Sequence, residues 1–529
     1  MAADHRGAAQ DTAHALRTDV LVVGAGPAGL MLACELRLGG AEVIVLDERP
    51  GPTTESRATT LHARTMEILD SRGLLDVLGT PPCEPRGHFG GIGLDLTLPS
   101  SHPGQWKVPQ GRTEELLQGR AAELGADLRR SHRLTGLTGL TDGPDGVSAD
   151  ALGPEGPVRF SARYLVGCDG EDSTVRRLVG ADFPGRDAVR ELLRADVSGI
   201  RTPDRRFLRL PDGLAISATR DGVTRVMVHA FGSRARHRTG APDFAEVVEA
   251  WKRVTGEDIG HGVPLWINAF GDAGRQLDRY RHGRILFAGD AAHQQMPSGG
   301  QALNLGVQDS FNLGWKLAAE IRGDAPGGLL DSYHTERHAV GADVLANIRA
   351  QSRLLLGGPE IEPVRAIVAE LVALDDVRTR LAGTISGLAV RYDLGDGGDH
   401  PLLGLRLPPA GLTRHAAGGV TTARTAELFH RGTGVLLDLG ADTDTDPASG
   451  GLADVARDGH RVVRVSARPA PGSPLRTGEA LLVRPDGYVA WAGRSTGDPA
   501  LHTALRRWFG EPDRARTAPH QSTATAAAR

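Results

Sequence analysis

Cysteine is scarce in this chain. Cys34, Cys83 and Cys168 are the only three among 529 residues, with no CxxC pair and no metal-ligand spacing. That scarcity argues against a disulfide framework and against a structural zinc site. A surplus of one charge is missing too. The net charge is −4, which leaves no basic excess for a nucleic acid or an anionic membrane. The opening MAADHRGAAQDTAHALR lacks the apolar core of a signal peptide, and no apolar run is long enough to span a bilayer. No internal repeat is present. Together these absences predict a cytoplasmic protein that binds no metal, nucleic acid or membrane; a monomer or homodimer is expected.

Glycine, by contrast, is abundant at 70 residues, which implies many turns and inflates chance matches to glycine motifs. A chain this long exceeds one hydrophobic core, so about two or three domains are expected. The patterning predicts a disordered tail over 1–17, then a dinucleotide-binding domain over 18–185 and 275–395. An antiparallel sheet with a helix near 243–254 is inserted at 186–274. Past a Gly/Pro-marked linker around 393–410, a small α/β domain over 396–511 precedes a second disordered tail, 512–529. An amphipathic helix is expected over 61–78, two strands over 158–168 and a long helix from about 306 to 321.

The first motif sits in an informative setting. A DVLVV strand at 19–23 runs into Gly24-Ala-Gly-Pro-Ala-Gly29, a helix pattern follows over 30–38, and the strand Glu42-Val-Ile-Val-Leu46 ends at Asp47-Glu48. Gly24 permits the tight turn, Gly26 lets backbone approach a pyrophosphate, and Gly29 lets the helix pack on the strand. The helix N-terminus offers amide donors and positive dipole to the phosphates. Asp47, about 20 residues on, is placed to bond a ribose hydroxyl. The GxGxxG string alone is expected by chance in so glycine-rich a chain. Its flanking strand, helix and terminal acid make it a dinucleotide site, without separating FAD from NAD.

Two further segments bear on that choice. One is LVGCDGEDSTVR at 165–176; the other is RILFAGDAAH at 284–293, continuing through Met296-Pro297-Ser-Gly299-Gly300-Gln-Ala302-Leu303-Asn304. Each is a buried strand that stops at a carboxylate beside a glycine, Asp169 or Asp290. Such an Asp is usually just a turn former. In the second segment, however, a proline–glycine loop opens a helix near Leu303. Asp290 can accept from a ribityl hydroxyl, and the helix amides can face the carbonyl-rich edge of a flavin.

With GAGPAG, CDGEDSTVRR and GDAAHQQMPSGGQALNLGVQDSFNLGWKLA in that order, the sequence resembles the class A flavoprotein aromatic hydroxylases, of the p-hydroxybenzoate hydroxylase fold. From about 18 to 510 it is similar to bacterial aromatic polyketide hydroxylases, especially those acting on angucyclines. AWKRVTGEDI, LLDSYHTERHAVG and the terminal LLVRPDGYVAWAG and ALRRWFG carry that likeness. The resemblance implies an α/β fold: a Rossmann-like FAD-binding domain, an inserted antiparallel β-sheet substrate domain, and a C-terminal thioredoxin-like domain. No cysteine follows Cys168, so that last domain has no redox chemistry and a packing or dimer-supporting role is expected.

The implied cofactor contacts are Gly24, Gly26, Ala28, Gly29, Asp47, Glu48, Arg57 of Glu55-Ser56-Arg57, Gln110 after Val108-Pro109, Asp169, Asp290, Pro297, Gly299, Gly300, Ala302, Leu303 and Asn304. The implied cycle uses NAD(P)H to reduce the flavin and leave. Dioxygen then adds at flavin C4a, and the hydroperoxide gives its terminal OH to an electron-rich ring of a polycyclic polyketide. No second strand–GxGxxG–helix unit is present, which favours a transient nicotinamide. No catalytic side chain is singled out, because the flavin does the chemistry.

The substrate cavity is expected between flavin and inserted sheet, with Phe231, His229 and Trp266 as candidate lining, although an aromatic on such a strand is more often core. His293 is expected to fix the loop. Two positions depart from the family, Asp172 where an Arg is usual and Ala302 where a Gly is usual. Baeyer–Villiger or epoxidising chemistry on the same substrates is the nearest alternative, and a non-catalytic flavoprotein a more distant one. A halogenase lacks support because its WxWxIP segment is missing, and a plain NAD dehydrogenase leaves the long GD segment unexplained.

Overall fold

The structure, a computed structural model, describes residues 15–55, 58–139, 146–238, 240–394, 399–416, 419–440, 461–494 and 498–511. It divides into two compact units. One comprises Met1–Asp70, Leu74–Ile321 and Asp331–Val390, the other Ser71–Gly73, Arg322–Leu330 and Arg391–Arg529.

The larger unit is organised by the strand Leu16–Val23, whose last four residues are all buried. Apolar side chains on both faces mark a parallel strand covered on both sides. It runs parallel to Gly156–Gly167 on one side and to Val43–Leu46 on the other. Beyond these lie Ile285–Phe287 and Asp127–Arg129, also parallel to their neighbours, within an eight-stranded sheet. The strand begins at Leu16, inside the segment expected to be a tail, because Leu16 and Arg17 extend its ladder to Phe160 and Ser161. The connections are what matter for function. Gly24, Asp47, Asp169 and Gly289 each follow the carboxyl end of one of four adjacent parallel strands, where open α/β sheets bind their ligands.

Three local expectations are corrected. The segment expected as one helix over 61–78 is instead the strand Thr60–His62, the helix Ala63–Asp70 and a short turn, Leu75–Leu78. Gly73 at φ +68° breaks the helical path, and Arg72 just before it donates to the carbonyls of Phe429 and Pro485 in the smaller unit. The two strands expected over 158–168 are a single one, Gly156–Gly167, whose hairpin partner is Val147–Gly153. The long helix starts earlier than expected, at Gln301, and runs to Arg322.

A five-stranded antiparallel sheet is inserted, with Glu191–Ser198 between Val223–Ala230 and Val263–Gly271, and with Gly213–Arg220 and Arg205–Leu210 beyond Val223–Ala230. Strand alternation splits its two faces. Ala195, Val197, Ala215, Val226 and Val228 face Trp251 of the helix Phe244–Thr255 and form one core. Leu192, Ile216, Met227 and Phe270 face the other way, toward Met296 and Leu305.

In the smaller unit, Gly434–Asp438 pairs parallel with Val462–Ser466 and antiparallel with Ala480–Val483, which pairs with Val489–Gly493. Its core is formed by Val435, Leu437, Leu481 and Val489 among others. The tails expected over 1–17 and 512–529 fall, apart from residues 15–17, outside the described residues.

Candidate active site

Steric constraint explains the first glycine turn. Gly24 sits at φ +103°, and a Cβ there would lie 2.3 Å from the Cys168 carbonyl oxygen and 2.9 Å from the Asp169 Cα. A Cβ on Gly29 would lie 1.9 Å from the Gly24 oxygen. These two positions therefore weld the first and second segments together. Gly26 is different: a Cβ there would meet nothing within 4 Å. Gly26 is also the N-cap of the helix Pro27–Leu38, which has no side-chain cap. Open space over helix amides that carry no side-chain cap fits the pyrophosphate of FAD.

Asp47 is buried and braces the turn from the neighbouring strand. Its Oδ2 accepts from the Ala25 amide at 2.6 Å and its Oδ1 from the Arg49 amide at 2.9 Å. Glu48 beside it is exposed. Gln110 opens the helix Gln110–Glu123; its amide donates to the Ala58 carbonyl and its Nε2 to Glu114, whose other oxygen accepts from the Thr53 amide. Arg57 lies outside the described residues.

The Asp169 carboxylate is turned into its own helix. It accepts from Ser173 Oγ at 2.5 Å and from the Val175 amide at 3.0 Å, capping Thr174–Val179. The turn-former role accounts for all the contacts described for this side chain. Asp172 is exposed.

The third segment is held by a buried charge cluster. Asp309, fully buried, accepts at one oxygen from the Gly289 amide at 3.2 Å and from His293 Nε2 at 2.7 Å, and at the other from Arg337 Nε at 2.7 Å. Burial alone would raise the Asp309 carboxyl, but Arg337 and His293 outweigh it and hold it below the usual carboxylate range. His293 is thus a loop-fixing residue, and it leaves Asp290 exposed in the Gly289–Ala291 turn. An added Cβ on Gly289 would lie 3.1 Å from Ala28, so this segment closes on the first.

Further along, Asn304 locks the loop. Its Oδ1 accepts from the His62 amide at 2.8 Å, while its Nδ2 donates to the Thr60 and Gly300 carbonyls. His62 Nε2–H donates to the Gly299 carbonyl at 2.7 Å.

Pro297, Gly299, Gly300, Ala302 and Leu303 form one wall of a cavity of about 470 Å³. The inserted sheet contributes Leu192, Arg194, Ile216, Met227 and Phe270, and Arg86, His88 and Lys107 also line the cavity. Ala302 lines it, so the extra methyl does face the cavity.

The expected lining residues Phe231, His229 and Trp266 are corrected, since none of them reaches this cavity. His229 and Trp266 share the inward parity of their strands but sit too far along them. His229 is buried with its Nδ1 at 2.8 Å from the Glu191 carbonyl, and Trp266 lies under the Arg194 guanidinium at 4.4 Å. Phe231 falls past the strand end, beneath Arg209. His62, His88, Lys107 and Arg194 were not anticipated. Only their neighbourhood to Arg57 or their alternation in a strand could have pointed to them.

The comparisons with known proteins agree with this geometry. Residues 17–348 match the model of an FAD binding domain, and residues 400–512 match that of the aromatic-ring hydroxylase C-terminal domain. The chain belongs to the FAD-dependent aromatic-ring hydroxylases, and within them it matches the class A aromatic polyketide hydroxylases; it is an FAD-dependent monooxygenase. It is 42% identical over 525 residues to the 12-dehydrotetracycline 5-monooxygenase/anhydrotetracycline 6-monooxygenase of Streptomyces rimosus, covering 94% of this chain and 100% of the relative. It is 42% identical over 514 residues to the rifampicin monooxygenase of Streptomyces venezuelae, covering 93% and 98%. Among solved structures it resembles CabE, an aromatic hydroxylase from angucycline biosynthesis, at a TM-score of 0.85, 47% identity and coverage of 94% and 99%.

Removing the central carboxylate takes away the charge that Arg337 Nε binds, at a cost of about 3–5 kcal/mol. Asp309→Asn is expected to melt earlier in thermal unfolding and to lose FAD on gel filtration. A variant that keeps both the melting temperature and the yellow colour contradicts this role. Burial also pushes His62 and His88 from their ordinary 6.5 down to about 4. Below about 6.5 the unfolded chain takes up protons that the folded chain refuses, so stability falls as pH drops toward about 4 and is unaffected by these groups above 6.5. Denaturant unfolding across that window should show a shallower slope in His62→Gln; an unchanged slope would contradict it.

Proposed function

We propose that this monooxygenase hydroxylates a polycyclic aromatic polyketide of the angucycline kind, with FAD bound and NAD(P)H as a reductant that visits and leaves. The observation that carries the reading is convergence. Segments far apart in the chain meet at the carboxyl ends of adjacent parallel strands, and the 297–303 loop that continues the last of them also walls the cavity. When bound, the reduced flavin activates dioxygen and supplies the oxygen atom that enters the ring.

The chain's own residues bind, orient and exclude water. The bare amides after Gly26 would hold the pyrophosphate, Asp47 and Glu48 would serve the adenosine ribose, and Asp290 would take a ribityl hydroxyl. Gln110 would contact the ring system from the start of its helix. The first amides of Gln301–Arg322 stabilise negative charge at its carbonyl edge. Leu192, Ile216, Met227 and Phe270 give an aromatic substrate an apolar floor and keep water out. The polyketide assignment draws on the substrates named for the relatives, and a transient nicotinamide on the lack of a second glycine-turn unit. We assign a thioredoxin-like fold to the smaller unit, supported by its mixed four-stranded sheet, with one parallel pair at the edge followed by two antiparallel pairings.

Asp290→Ala should purify without FAD, because a ribityl partner is gone; a yellow, fully loaded variant would show that the segment is misread. The intact protein should purify yellow, be bleached by NAD(P)H, and consume oxygen in the presence of polycyclic phenols or quinones. Product mass should rise by one oxygen with the ring skeleton kept. A lactone means Baeyer–Villiger chemistry instead, and a colourless protein that cannot take up FAD sinks the reading.

A further inference from the structure

Two consecutive glycines of the 297–303 loop take the left-handed backbone, Gly299 at φ +65° and Gly300 at φ +70°. A glycine pair of this kind can rotate the peptide between its residues at little steric cost. Each peptide is planar and trans, so its carbonyl and its N–H point in opposite directions. Which end is turned toward the cavity therefore depends on what grips the carbonyls.

Both carbonyls are gripped, and from behind the loop. His62 Nε2–H donates to the Gly299 carbonyl at 2.7 Å, and Asn304 Nδ2 donates to the Gly300 carbonyl at 2.7 Å. Gly299 and Gly300 line the cavity, whereas His62 and Asn304 are buried and do not. The two grips are linked, because Asn304 Oδ1 accepts from the His62 amide at 2.8 Å. That bond leaves Nδ2 as the donating end of the Asn304 side chain.

The two residues differ in what else they do. Asn304 also donates to the Thr60 carbonyl, so it would be held in place without the loop. The His62 imidazole makes a single hydrogen bond among the described residues, since its Nδ1 is buried without a partner. Burial holds the ring down to about 4, so at neutral pH it carries one N–H, and the Gly299 carbonyl takes it. An apolar side chain would fill the same space without stranding a nitrogen. The bond to Gly299 is what accounts for an imidazole at this position.

We propose that His62 is a positioning residue for the flavin: it locks the Gly299–Gly300 peptide with its carbonyl turned out of the cavity, so that this oxygen does not oppose negative charge on the reduced ring. This rests on the monooxygenase reading, which seats the flavin against residues 297–303. A peptide carries a dipole of about 3.5 D, and a glycine pair freed of His62 can turn the negative end of that dipole toward the ring.

The two-electron midpoint potential of bound FAD is the test, measured by reductive titration of the FAD-loaded protein and of three variants. His62→Leu removes the donor. His62→Asn keeps an amide too short to reach Gly299, and stands in should the leucine variant fail to fold. His62→Gln carries an amide donor at the reach of Nε2. Loss of the lock should weaken the binding of reduced FAD relative to oxidised FAD about tenfold, a fall of about 30 mV. His62→Leu and His62→Asn should both show that fall, and His62→Gln should restore the original potential.

Potentials that stay equal across the set overturn the proposal, even where the variants melt earlier, because a bond that only supports the fold lowers the melting temperature and leaves the potential alone. A rise in potential, or a fall shared by His62→Gln, overturns it as well. An unsubstituted protein that takes up no FAD loses the monooxygenase reading together with this one. A yellow, NAD(P)H-reducible protein whose variants keep its potential loses the lock alone.

Discussion

A single buried carboxylate holds the arrangement together. Asp309 receives hydrogen bonds from the Gly289 amide, from His293 and from Arg337, and so ties the third segment to two long helices, Gln301–Arg322 and Asp331–Leu356. A buried charge is costly unless it is paired and fully bonded, and here each partner comes from a different element. The same two helices are joined again by Lys316 and Glu336 at 2.9 Å, also buried. These pairs fix the register of the two helices. That register sets where the 297–303 loop begins, and the loop wall sets where a ring can lie. The exposed Asp290 and the cavity-facing Ala302 are consequences of this anchoring.

Much of the site was legible in the sequence, for physical reasons that differ by residue. Gly24 and Gly29 could be read because contact with Cys168 and with the turn itself excludes any side chain. Alternation made the inserted sheet visible, and its helix starts and ends within about a residue of where periodicity placed it. The cavity was less legible. Parity put His229 and Trp266 on the correct face, but height along a strand depends on register, which a single sequence does not encode. The break near Gly73 was missed for a related reason. Arg72 bonds carbonyls more than 350 positions away along the chain, a tertiary demand that overrides a local helical pattern.

The fold alone does not set the chemistry, since one scaffold hosts many reactions. The relatives illustrate this, with names that range over tetracycline and rifampicin monooxygenases. In this chain the wall opposite residues 297–303 includes the apolar side chains Leu192, Ile216, Met227 and Phe270.

The central claim is that three distant segments form one flavin site at the carboxyl edge of the parallel sheet. A crystal structure of the FAD-loaded protein tests it most directly. The account predicts the pyrophosphate over Gly26 at the start of Pro27–Leu38, the ribityl chain within hydrogen-bond reach of Asp290, and the ring against residues 297–303 with its open face toward the cavity. A flavin bound elsewhere, or one whose ring lies away from that loop, would contradict it.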